Sequence, residues 1–90
     1  VSQTLVESFG IAVRRLREAN GWSQEQLAER AELNRSYVGE IERGQAISSI
    51  VTVDKLARAL GVTSATLLQK SDQVSQQRTV RGIVLAAIAC

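Results

Sequence analysis

Ninety residues, 44% of them hydrophobic, with a formal net charge of +2 at pH 7, suffice for one small domain around a single core. The chain has no histidine and one cysteine, Cys90, which excludes a Ser-His-Asp triad, an imidazole metal site and an internal disulfide. No glycine-rich phosphate loop occurs and the carboxylates stand at ordinary helix-surface spacing, so neither an enzyme nor a cofactor or metal is expected.

No proline interrupts the chain and good helix formers run throughout, which points to an all-α build. No stretch reads as a signal peptide and no apolar run is long enough to span a bilayer, so a reducing cytoplasm is the expected setting. Residues 1–45 carry six basic and seven acidic groups, and residues 46–90 carry five and two. The N-terminal half is therefore not basic overall, and any binding of a polyanion there rests on a few well-placed arginines.

The first helix is predicted from about Leu5 to Ala19, with Leu5, Phe9, Val13 and Leu16 turned inward. Thr4 and Glu7 have the spacing of a capping box, and Asn20-Gly21 ends the helix. Gly10 falls inside it and weakens its first turns. Trp22 follows at the corner, where packing against the core is favoured over stacking on a ligand.

Ser23 caps the second helix, and Gln26 completes a capping box. Leu27, Ala28 and Ala31 share one face, and the small Ala28 lets a neighbouring helix cross close by. Leu33 fills the next corner and Asn34 caps the third helix, whose inward residues are Val38 and Ile41. Gly44 stands where a helix ends in a left-handed residue. This arrangement leaves Arg35, Ser36, Tyr37 and Glu40 on the outer face of the third helix. A supporting helix, a tight turn and a second helix with a polar outer face is the layout that seats a helix in the DNA major groove.

Ser49 or Thr52 caps a fourth helix with Val53, Leu56, Ala57 and Leu60 inward, closed by Gly61. Thr63 caps a short fifth helix carrying Ala65, Leu67 and Leu68. The helix-turn-helix domain is thus assigned to residues 1–70, followed by a polar spacer at 71–77. Residues 78–90 form an almost wholly apolar segment, helical or extended, expected to be buried on its own domain or against a partner subunit, the latter stabilising a dimer.

Several residues in order carry a specific resemblance: Arg17, Trp22-Ser23-Gln24, Leu27-Ala28, Ile41-Glu42-Arg43-Gly44, and Leu56-Ala57 through Leu60-Gly61-Val62. From about Gly10 to Leu68 the chain resembles the phage repressor/Cro-type (Xre) helix-turn-helix family. The run Asn34 to Val38 with Ile41-Glu42-Arg43 is most similar to controller proteins of restriction-modification systems. The resemblance implies a five-helix repressor-type domain, here with a short apolar C-terminal extension. It implies a transcriptional regulator that binds a pseudo-palindromic operator in double-stranded DNA as a homodimer, with RNA polymerase a further candidate partner.

Within that resemblance, Arg35, Ser36, Tyr37 and Glu40 are the candidate base contacts. Arg35 has the fork geometry to pair with guanine, Tyr37 is open between base, phosphate and half-buried roles, and Glu40 between accepting from cytosine and excluding wrong bases. Gln24, Asn34 and Arg43 are the candidate backbone contacts, Asn34 serving as cap as well. Arg17 and Glu42 match positions that pair across the first and third helices. The dimer contact is carried over to Ile47, Ile50, Val51 and Leu67. Two departures stand out: Glu32 occupies a turn position usually held by glycine, and the loop Gln45-Ala46-Ile47-Ser48 has neither proline nor a basic residue. The competing reading is a protein-interaction module of the same fold, coactivator-like or antitoxin-like.

Overall fold

The computed structural model describes residues 2–89 of the chain, and side chains over residues 4–77. Five helices follow one another: α1 (Ser2–Ala19), α2 (Gln24–Ala31), α3 (Arg35–Glu42), α4 (Ile50–Ala59) and α5 (Ser64–Ala89). No strand occurs among the described residues. The build is all-α, as composition and capping signals indicate.

The core gathers one stripe from each helix. Phe9, Ala12 and Val13 of α1 meet Leu27, Ala28 and Ala31 of α2, Val38 and Ile41 of α3, Leu56 and Ala57 of α4, and Leu67 and Val74 of α5. Leu16, Trp22, Leu33 and Val53 close its edges as half-buried residues. A fully buried leucine or valine of this kind contributes about 1.5–3 kcal/mol.

The start of α1 differs from expectation. The helix begins at Ser2, so Thr4 lies inside it and cannot act as its cap. Leu5 remains 48% exposed, because it overhangs the end of the core, where it borders a shallow groove with Phe9, Ile47 and Leu68. Gly10 has a packing reason. A Cβ there would collide with the carbonyl oxygen of Ile41 and lie 2.9 Å from that of Glu42. Only a residue without a side chain lets α1 touch the end of α3 so closely.

The fifth helix is long rather than short. It runs on through residues 71–77, the expected spacer, and its backbone is helical to Ala89. Leu67, Ser71 and Val74 fall at spacings of four and three and are all buried, so they form one continuous stripe along α1. Buried Ser71 donates to the carbonyl of Leu67 (3.0 Å) in its own helix, and the hydroxyls of Ser8 and Ser75 bond across the α1–α5 contact at 2.7 Å. The expected burial of the apolar segment 78–90 concerns side chains outside the described residues. No described helix is long and apolar enough to cross a membrane.

Candidate nucleic-acid interface

Local chemistry fixes where α2 and α3 begin. The Ser23 hydroxyl accepts from the Gln26 amide (3.1 Å) and the Gln26 side chain accepts from the Ser23 amide (2.8 Å), a complete capping box. After α2, Glu32 adopts φ 56°, ψ 45°. It is therefore the left-handed residue of the turn, although it is not glycine. Leu33 then donates to the carbonyl of Ala28 (2.8 Å), which swings the chain into α3. Asn34 Oδ1 accepts from the Ser36 amide at 2.7 Å and caps α3.

With Val38 and Ile41 fully buried, the opposite side of α3 faces outward. Arg35, Ser36 and Glu40 are exposed. Together with Gln24, Gly39 and Arg43 they line an open cleft of about 380 Å³. Tyr37 behaves differently: its ring is half-buried against the core and its hydroxyl donates to the carbonyl of Ile47 (3.3 Å). The structure thus brings five of the expected DNA contacts to one surface and sets Tyr37 at its margin, tied to the loop after α3.

A pair of charges holds this surface at a set angle. Arg17 Nε donates to Glu42 Oε2 at 2.7 Å, and Nη2 donates to Oε1 at 3.0 Å. A third donor, Nη1, reaches the carbonyl of Trp22 at 2.7 Å. The Glu42 side chain is 2% exposed and that of Arg17 is 12%. The hydrogen bond to Glu42 holds the Arg17 pKa above its already high ordinary value, so the cation persists. The same carboxylate accepts from Gln24 Nε2 at 3.0 Å. Gln24, expected as a backbone clamp, therefore has one amide proton committed to Glu42 and its carbonyl turned towards Gly39. Arg43 Nε donates to Gln45 Oε1 (3.1 Å). Trp22 packs at the corner of the core with the Arg30 guanidinium 4.2 Å from its ring centre.

The dimer candidates divide. Ile47, Ile50 and Val51 are 75%, 88% and 64% exposed, whereas Leu67 is fully buried. Leu67 belongs to the core and cannot meet a partner subunit. Its neighbour Leu68 is 44% exposed and, with Leu5, extends the apolar face instead. Adjacent helical residues point about 100° apart, so only one of the two leucines can face the core. The stripe 67–71–74 decides which, and it is readable only if α5 is taken through the polar residues.

The helix-turn-helix family model matches residues 13–67. Control protein C.BamHI of Bacillus amyloliquefaciens is 41% identical over 61 residues, covering 67% of this chain and 75% of the relative. Among solved structures, the restriction-modification controller protein C.AhdI from Aeromonas hydrophila is 51% identical, with a TM-score of 0.66 over 70% of this chain and 94% of that one. The clp gene regulator ClgR from Corynebacterium glutamicum is 25% identical, with a TM-score of 0.87 over 93% of this chain and 89% of that one. The chain belongs to the Xre-type helix-turn-helix family of DNA-binding transcription regulators, and controller proteins of restriction-modification systems are among its relatives.

Proposed function

We propose that this chain binds a pseudo-palindromic operator as a homodimer, with α3 in the major groove of each half-site. The observation that carries the reading is the outer face of α3. Arg35, Ser36 and Glu40 are exposed there while the helix itself is clamped from behind by Arg17 and Glu42. Arg35 makes no ion pair among the described residues, so its planar fork is available to guanine O6 and N7. Such a bidentate contact discriminates by about 1–3 kcal/mol. Ser36 stands beside it in the first turn, the part of a recognition helix that reaches base edges. Glu40, one turn on, accepts from cytosine N4 or repels a wrong base. Gln24, Asn34 and Arg43 flank this strip and serve the phosphates, which position the protein without reading sequence.

The apolar face of Ile47, Ile50 and Val51, continued by Leu5 and Leu68, supports a second copy as partner, since exposed isoleucines and valines in one patch favour association. A two-fold dimer sets half-sites about 34 Å apart. Contact with RNA polymerase from a promoter-proximal operator and a cytoplasmic location belong to the same proposal, which assigns the chain no catalysis. Selection of bound duplexes from a randomised pool at near-physiological salt tests it. One palindromic consensus is the expected result. Binding without a consensus that vanishes as salt rises reflects backbone attraction alone and favours the protein-interaction reading.

A further inference from the structure

Gly39 sits in the middle of α3, where glycine is the weakest ordinary helix former. Its outward side explains the choice. A Cβ at this position would stand 2.9 Å from Arg43 Nη1, 3.7 Å from Arg43 Cζ and 3.4 Å from Gln24 Oε1. The guanidinium of Arg43 therefore folds back across α3 through the space a side chain would fill.

One acceptor holds it there, and a second oxygen faces the same notch. Gln45 Oε1 accepts from Nε. Gln24 Oε1 faces the notch as well, 3.4 Å from where the Cβ would stand, because the Gln24 amide nitrogen is turned to Glu42. An arginine carries five donors, so further N–H groups are left for a phosphodiester. A long side chain loses rotamer freedom when it binds, and one already held in place loses less.

We propose that Gly39 is a positioning residue for DNA binding: its missing side chain opens the notch that holds Arg43 over the recognition helix, ready for a backbone phosphate. This rests on the operator-binding reading above. It also assigns the glycine a role opposite to its helix propensity, since alanine would suit an isolated α3 better.

The experiment compares wild type, Gly39→Ala, Arg43→Ala and the double variant on the duplex that the wild-type protein selects, over a range of salt. Loss of one charge-assisted phosphate contact weakens binding about tenfold and lowers the salt slope by about one. Gly39→Ala is expected to reproduce part of the affinity loss of Arg43→Ala with little change in salt slope, because the displaced guanidinium keeps its charge, and without lowering the melting temperature. In the double variant the glycine change adds nothing further, because it acts through Arg43. Wild-type affinity in Gly39→Ala overturns the proposal. So does a loss of equal size when Arg43 is already alanine, whatever the melting temperature does. A wild-type protein that selects no duplex overturns the operator reading and this proposal together, so failure of the first is told apart from failure of the second alone.

Discussion

Arg17 on α1 and Glu42 at the end of α3 form a two-pronged ion pair at 2.7 and 3.0 Å, and Glu42 is almost wholly removed from water. Their separation in sequence makes the pair a brace between the supporting helix and the recognition helix. Replacing such a pair by apolar residues need not destabilise a protein, but deleting one partner strands the other and costs about 3–5 kcal/mol when burial is deep.

Arg17→Ala is therefore expected to lower stability by about 3 kcal/mol, read as a drop in melting temperature of at least about 12 °C for a domain of this size. DNA affinity falls with it because Glu42, which also holds Gln24, is left without its cation at the end of the recognition helix. Arg35→Ala leaves the melting temperature within error, since Arg35 is exposed and touches nothing in the core. Thermal melts of the two variants side by side check the division; equal losses contradict it. The raised Arg17 pKa fixes the pH behaviour. A folded-state pKa above the unfolded one stabilises below the unfolded value, and that contribution is lost only as pH rises through the folded value. Both lie in strong alkali, so the Arg17 contribution stays constant between about pH 6 and 9.

Glu32 is the one non-glycine residue at positive φ among those described. Left-handed backbone costs a side-chain-bearing residue about 1–2 kcal/mol. Glu32→Gly is expected to recover about 1 kcal/mol, raising the melting temperature by about 4–8 °C with operator affinity unchanged. A melting temperature that stays the same or falls in that variant contradicts the strain assigned to the turn.

The two leucines at the start of α5 separate packing from association. Leu67→Ala is expected to cost about 2–5 kcal/mol through a cavity in the core. Ile50→Glu, at an 88% exposed position, leaves the monomer fold intact and shifts the protein to monomer in sedimentation at micromolar concentration. If Ile50→Glu sediments as wild type does, the apolar face around Ile47, Ile50 and Val51 is not where two copies meet.

What was legible in the sequence follows from which signals are local. Ser23 with Gln26, Asn34 and Gly44 announce the ends of α2 and α3 through interactions within a few residues, whereas the start of α4 is open between Ser49 and Thr52 until the Ser49 hydroxyl is seen to accept from the Thr52 amide. The Arg17–Glu42 pair spans two helices and is reached only through family resemblance. The continuation of α5 is not legible because Ser71, Asp72, Gln73 and Gln76 look like a linker, while the stripe Leu67–Ser71–Val74 contains a serine that satisfies itself within the helix. Leu67 enters the dimer face only by carry-over from the resemblance, which does not register the inward stripe of this longer helix. Gly10 reads locally only as a weak point in α1 and Gly39 gives no local signal, since the meaning of both lies in what another helix or side chain brings against them.

The central claim is that α3 reads bases, and that Arg35 reads one of them. The most direct test repeats duplex selection from a randomised pool with Arg35→Ala beside the wild type, at one salt concentration. The expected result is a wild-type palindrome in which a single guanine-bearing position per half-site loses preference in the variant, the other positions and the melting temperature being retained. An Arg35→Ala protein that selects the same consensus at every position contradicts the account.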